Sequence, residues 1–335
     1  MQVKVISPGL LTTLQDKGRI GYQKHGIIAS GAMDPYAFRM ANILLDNEEN
    51  EGVLEISFLG PVLAFQEDTL IAITGGDLSP TIDGEPVPMW RPVLIKKDRV
   101  LHFRMLKSGA RAYLAVAGGF DVPVVMGSKS TYMRAELGGF KGRALLAEDT
   151  LVTLQTKTQM EKFRPVLCKS SVTGGFLTTY WFFEPTHIPL GDAPIQVRVT
   201  RGNQMESFTE TSIAAFFRTP YAVTPASDRM GYRLDGAALQ LISPLEMISE
   251  AVSFGTVQAP PDGNPIILLA DRQTAGGYPK FAQVIHVDLA VIAQICPGGM
   301  IQFTEVSLKE AENLYLQRDA YLQKIQQAVN FYLQK

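Results

Sequence analysis

Charge is scarce in this sequence. Asp, Glu, Lys and Arg make up 19% of its 335 residues, and the formal net charge is −2. A soluble domain averages roughly 25% charged residues. Either the chain buries its strands well or a partner covers part of its surface. No basic stripe is present, so nucleic-acid binding has no electrostatic support. No run approaches the roughly 18 apolar residues of a membrane span. The opening Met1-Gln2-Val3-Lys4-Val5-Ile6 lacks the apolar core of a signal peptide and reads as a first strand. The two cysteines, Cys168 and Cys296, share no metal or redox spacing, so reduced thiols and a cytoplasmic location are expected.

Several catalytic signatures are also missing. There is no Gly-x-x-x-x-Gly-Lys-Ser/Thr phosphate loop, no Gly-x-Gly-x-x-Gly turn after a strand, and no Gly-x-Ser-x-Gly elbow. His25, His102, His187 and His286 are scattered, without zinc spacing. No Met-Lys-Met segment of the biotin-carrying kind occurs. These gaps disfavour a metalloenzyme, a dinucleotide-dependent dehydrogenase and a self-sufficient phosphate-loop ATPase.

What is present is a punctuated, β-rich pattern. The 29 Gly and 20 Pro residues break the chain into short strands. Gln196 to Thr200 alternates, while Leu70–Thr74 and Ile266–Ala270 are continuous apolar runs suited to buried strands. Asp83-Gly84 between Thr81-Ile82 and Pro86-Val87 is a two-residue hairpin signal. Helices are few. Asp34-Pro35 is a helix start with Asp34 as cap. Asp288 marks another start, and Ser307-Leu308-Lys309-Glu310 has the form of a capping box. Behind that box, Ala311, Leu314, Tyr315, Leu322, Ile325, Val329 and Tyr332 form an apolar face, to dock on its own domain or on a sister protomer.

The length suits about two domains. A faint repeat agrees: Arg19-Ile20-Gly21-Tyr22 is echoed by Arg229-Met230-Gly231-Tyr232, with Asp16 and Asp228 before the arginines. Either the echo is chance or it marks tandem β-barrel-like domains, 1–185 and 190–335, with a boundary near Phe183–Pro194.

Three polar, glycine-rich segments are candidates for chemistry. In the first, Asp16 and Arg19 could staple a turn, or Arg19 could grip a carboxylate or phosphate. The second, Ser227 to Arg233, reads as a strand with Arg229, Gly231 and Arg233 on one side and Asp228 and Tyr232 on the other. It is a ligand site or a solvated edge. The third, Leu269 to Lys280, follows a buried strand. Its Gly276-Gly277 pair suits an oxyanion or carboxylate cradle, and Asp271, Arg272, Thr274, Tyr278 and Lys280 supply acid, cation, hydroxyl, phenol and amine. A glycine-rich hairpin with surface polar residues is the plainer alternative. Ser128, Ser130 and Thr131 form a further loop that could bind an anion or simply turn the chain.

Five phrases carry a family resemblance: Thr13 to Arg19, Ser30 to Asp34, Gly127 to Tyr132, Ser227 to Leu234, and Asp271 to Pro279. They occur in order, and the sequence resembles the biotin-dependent carboxyltransferase family. That family includes the C subunit of bacterial 5-oxoprolinase (formerly the second subunit of allophanate hydrolase), KipA, which antagonises a sporulation-kinase inhibitor, and part of urea carboxylase. The resemblance implies a mainly β fold with two tandem cyclophilin-like barrels, a few helices and a C-terminal helix. It implies a KipI-like B subunit as direct partner, and an A subunit in a complex that hydrolyses 5-oxo-L-proline to L-glutamate with ATP. ATP would then be used by the complex, and biotin, if used, would arrive on another chain. A chain of this length is expected to be free-standing rather than fused.

Two other functions stay open: the carboxyltransferase component of a urea carboxylase or allophanate system, and a non-catalytic regulator binding a histidine-kinase inhibitor in sporulation control. For the enzyme, a small amide is the expected substrate. Asp271 is expected to accept its N–H, with Lys280 or Tyr278 handling protons. Arg229 is expected on the carboxylate, and the Gly276-Gly277 amides on the carbonyl oxygen. Asp228, Tyr232, Thr274, Arg272, Arg19 and Asp16 complete the expected binding set.

Overall fold

A computed structural model describes residues 1–169, 174–185, 188 and 193–334. His187 and part of the expected boundary Phe183–Pro194 lie outside the described residues. The chain is mainly β, with five α-helices among the described residues: α1 (Pro35–Leu44), α2 (Lys157–Phe163), α3 (Glu210–Arg218), α4 (Leu289–Ala293) and α5 (Leu308–Leu333). It divides into two compact units that interleave in sequence. Unit 1 comprises Met1–Gly18, Asp34–Ile188 and Asp319–Lys335, and unit 2 comprises Arg19–Met33 and Pro189–Arg318.

Unit 1 is built on two sheets. One has six strands, in the order Thr150–Val152, Gln2–Ser7, Val62–Phe65, Arg99–His102, Thr81–Ile82 and Glu85–Pro86. The other has seven, in the order Leu167–Lys169, Phe176–Thr179, Pro92–Ile95, Thr69–Asp77, Ser108–Val116, Val53–Ser57 and Leu11–Gln15. The apolar run Leu70–Thr74 lies inside a fully buried stretch of its strand, as its composition required. Alternate residues such as Val3, Val5, Leu54, Ile56, Ile71, Ile73 and Leu114 share one core. The hairpin at Asp83-Gly84 is present, with Ile82 opposite Glu85 and both turn residues at positive φ (50° and 85°). That geometry matches the right-handed twist of the flanking strands.

Unit 2 holds a closed seven-stranded barrel. Its order is Ile195–Arg201, Lys280–Val284, Thr256–Gln258, Ile266–Leu268, Gly231–Asp235, Tyr221–Val223 and Met300–Glu305, which closes on the first strand by a parallel pairing. Aromatic rings fill it: Phe216 stacks on Phe303 at 4.3 Å and meets Phe281 at 4.7 Å. Burial pushes the Tyr221 phenol up to about 12, and its hydroxyl donates to the Ala237 carbonyl at 2.7 Å.

Asp34 caps α1 as expected, its carboxylate accepting the Tyr36 and Ala37 amides. The Ser307 hydroxyl likewise accepts the Glu310 amide at the start of α5. Leu322, Ile325 and Val329 of α5 are buried within the single chain, and Tyr332 stacks on Trp181. Asp288 marks the start of α4 as expected, but it makes no cap bond. Instead its carboxylate takes two guanidinium bonds and a backbone amide from Arg198, and it raises the Arg198 pKa. The capped helices α2 and α3 had no counterpart in the sequence reading. Thr156 and Gln159 form a full capping box on α2, and Thr209 caps α3.

Candidate functional site

The third polar segment emerges where its strand ends. Ile266–Leu268 runs through the barrel, Leu269 and Ala270 stay buried, and Asp271 and Arg272 are the first polar residues beyond them. The Asp271 amide bonds the Arg229 carbonyl at 2.9 Å. The same residues join through their side chains. Arg229 Nε donates to Asp271 Oδ2 at 2.9 Å and its Nη2 to Oδ1 at 3.1 Å. Side-chain exposure is 5% for Arg229 and 10% for Asp271, so this two-pronged pair is mostly withdrawn from water but keeps an accessible edge.

A loop from the other end of the sequence completes the cluster. Ser30 Oγ donates to Asp271 Oδ1 at 2.6 Å, and Arg229 Nη2 donates to the Gly31 carbonyl at 2.7 Å. The loop is closed by the Arg19 amide on the Ala29 carbonyl at 2.6 Å, and Met33 at its end packs in the barrel core. Arg229 is therefore corrected as a carboxylate binder for a ligand. Its guanidinium already holds Asp271 and the Ser30-Gly31 loop.

Arg272 is the cation in a different situation. It is half-buried, its Nε and Nη1 reach the Val252 and Leu269 carbonyls at 3.5 and 3.3 Å, and its guanidinium lies 5.7 Å from the Phe254 ring centre. Desolvation lowers its pKa to about 10, partly opposed by Asp271. No carboxylate forms an ion pair with it among the described residues. A desolvated guanidinium held by two long carbonyl bonds is suited to an incoming anion.

The family model described as "Carboxyltransferase domain, subdomain A and B" matches residues 25–305, a stretch that contains this whole cluster. The chain belongs to the carboxyltransferase family. It is 38% identical over 318 residues to the C subunit of Haemophilus influenzae 5-oxoprolinase, covering 95% of this chain and 96% of that one. The C subunit of Escherichia coli 5-oxoprolinase is 35% identical over 324 residues, with 96% and 97% covered. Urea amidolyase of Saccharomyces cerevisiae is 30% identical over 335 residues, but only 18% of that protein is matched. Among solved structures, Kluyveromyces lactis urea carboxylase superimposes with a TM-score of 0.84 at 30% identity. That match covers 97% of this chain and 29% of that one. The chain thus spans under a third of the urea carboxylase it resembles.

The remaining expected site residues of this carboxyltransferase domain divide sharply. Gly276 lies in a two-residue strand opposite Glu250, and a Cβ there would meet Gln258 Nε2 at 2.6 Å. Its glycine makes room for a neighbouring side chain. Gly277 beside it is exposed, as is Tyr278 (44%), and Thr274 is half-buried with its carbonyl accepting the Val252 amide. Lys280 Nζ is paired with Glu250 at 2.8 Å. Gly277, Tyr278 and Pro279 line a cleft of about 740 Å³ together with Leu239–Leu245 and Pro260–Gly263.

Other expectations need correcting. Tyr232 is 2% exposed, and its hydroxyl bonds the Ile295 carbonyl at 3.2 Å, so it belongs to the barrel core. Asp228 is an exposed turn residue whose carboxylate accepts the Met230 and Gly231 amides. Arg229 and Arg233 do not share a strand face, because the strand begins only at Gly231; Arg229 is buried and Arg233 exposed. In unit 1, Asp16 is 1% exposed and accepts from the Gly18 amide (2.8 Å), Ser128 Oγ (2.7 Å), the Lys129 amide (2.6 Å) and Ser130 Oγ. Thr131 Oγ1 bonds the Leu14 carbonyl. The serines and threonine that could have held an anion therefore secure a loop. Arg19 is fully buried, with its carbonyl accepting Gln23 Nε2.

The sequence reading missed a buried polar row in unit 1. Tyr113 donates to Glu55 at 2.9 Å and accepts the Asp34 amide at 2.8 Å. Burial, then the Glu55 charge, hold the Tyr113 phenol well above its ordinary pKa. Thr13, Glu55, Tyr113 and Thr74 are cross-strand neighbours in register. A glutamate among the apolar residues Val53, Leu54 and Ile56 was the available signal.

Proposed function

We propose that this chain is the C subunit of an ATP-dependent 5-oxoprolinase, acting with its A and B subunits to open 5-oxo-L-proline to L-glutamate. The observation that carries the reading is the end-to-end match to the C subunit of 5-oxoprolinase, 96% of whose length is covered at 38% identity. In 5-oxoproline the ring N–H and the carboxylate sit on adjacent atoms. A site for it needs an acceptor and a cation side by side. Asp271 and Arg272 supply that pair: Asp271 accepts the lactam N–H, and Arg272 binds the carboxylate. Arg229 holds the Asp271 carboxylate in place with two hydrogen bonds. Thr274 and the backbone at Gly276 and Gly277 lie along the same segment and contact the substrate, while Tyr278 and Lys280 handle protons at its open end. The chain works in the cytoplasm, and the B subunit binds it directly.

ATP does not fit this cluster. Of its three cations, Arg229 is spent on Asp271 and Lys280 on Glu250, which leaves one for a triphosphate. No group of three metal-ligating residues occurs among the described residues to hold an accompanying cation. A nucleotide used by the complex would therefore bind away from this cluster. A neutral ureido group has the same C=O and N–H pattern as the lactam. The likeness to urea carboxylase supports carboxyl transfer as a second reading, with biotin carried on another chain.

The test is reconstitution of the chain with the A and B subunits, assayed with ATP on 5-oxoproline, urea and allophanate. Glutamate formation that requires this chain supports the proposal. Turnover of urea alone favours the second reading. Inactivity of every combination on all three rejects both and favours the regulator.

A further inference from the structure

Ser30 is held at φ +56°, in the left-handed region. Among the described residues of unit 2 it is the one non-glycine with positive φ; the others lie in unit 1. A serine there carries a steric cost that glycine would avoid. It is 6% exposed, and its hydroxyl reaches Asp271 Oδ1 at 2.6 Å. The next residue, Gly31, also has positive φ (98°), and its carbonyl accepts from Arg229. Two consecutive left-handed residues thus turn one backbone so that a hydroxyl meets the carboxylate while a carbonyl meets its partner guanidinium. Arg229 alone fixes the carboxylate from one side; Ser30 fixes it from another.

We propose that Ser30 is the positioning residue that sets the rotation of the Asp271 carboxylate and leaves Oδ2 aimed at the substrate N–H. This rests on the reading of Asp271 as the acceptor for that N–H. The left-handed turn is the means by which a loop distant in sequence delivers the hydroxyl, so the backbone strain serves the side chain.

Ser30→Gly separates the two contributions, because it removes the hydroxyl and relieves the φ strain. In the reconstituted complex, Ser30→Gly raises the KM for 5-oxoproline about tenfold, the loss expected when an acceptor is no longer preorganised. Its melting temperature equals or exceeds that of the parent. Ser30→Ala, which loses the hydroxyl but keeps the strain, shows the same KM and a lower melting temperature. A merely structural role would leave KM unmoved in a folded variant. Ser30→Gly with the parent KM overturns the proposal. If the parent complex does not turn over 5-oxoproline, the functional reading fails, and the positioning is decided on the isolated full chain. There the melting shifts of Ser30→Gly, Asp271→Asn and the double variant are compared. A double variant departing from additivity by roughly 2 °C or more supports direct coupling, and additive shifts overturn it.

Discussion

Two carboxylates, Asp16 in unit 1 and Asp271 in unit 2, sit in segments of similar composition and do opposite jobs. Asp16 is closed in by two serine hydroxyls and two backbone amides at 1% exposure. Asp271 is held by one arginine and one serine, keeps a 10% exposed edge, and has a half-buried cation as its chain neighbour. An ionised carboxylate offers about four acceptor positions. Surrounding a fully buried carboxylate with four local donors makes a knot. Leaving one open beside a desolvated arginine makes a site. Residue type does not separate the two cases; the number of acceptor positions already taken does.

The comparison breaks most sharply at Asp16. Asp16→Ala strands four donors, each worth about 1–3 kcal/mol when left unsatisfied in the interior. The melting transition of unit 1 is expected to fall by roughly 10 °C, as scanning calorimetry would register. Arg229→Met comes next, because it leaves the Asp271 charge mostly buried and unpaired, at roughly 3–5 kcal/mol. Adding Asp271→Leu should recover much of that loss, whereas no second substitution replaces the scattered donors of Asp16. Arg272→Gln sharpens the contrast on the functional side. It should raise the KM for 5-oxoproline roughly 10- to 100-fold, the worth of a charge-assisted bond, with the melting temperature changed by only a few degrees. Tyr232→Phe should do least: it deletes one core hydrogen bond, about 1 kcal/mol, and leaves turnover unaltered.

Local signals in the sequence carried much of the fold. Asp34-Pro35, Asp83-Gly84 and the apolar runs at Leu70 and Ile266 each express one short-range rule, and each appears as expected. Asp288 stands before α4 as expected, although its carboxylate serves Arg198 rather than the helix amides. The interleaving of Arg19–Met33 with unit 2 left no local trace, since tertiary packing alone decides it. The candidate site was half legible. Asp271 and Arg229 stood out by type, but their pairing joins positions 42 residues apart, and Ser30 lies 241 residues from Asp271. Tyr232 looked like a site residue between two arginines. Strand alternation put it in the barrel core, on the face opposite the exposed Arg233.

The most direct test of the account is ATP-dependent glutamate formation from 5-oxoproline by the complex reconstituted with Asp271→Asn, beside the same variant's folding and assembly. The account predicts an assembled, folded complex whose turnover falls roughly 100-fold or more, the scale of losing a well-placed group at a reacting amide. An assembled Asp271→Asn complex that turns over 5-oxoproline at the parent rate would contradict it.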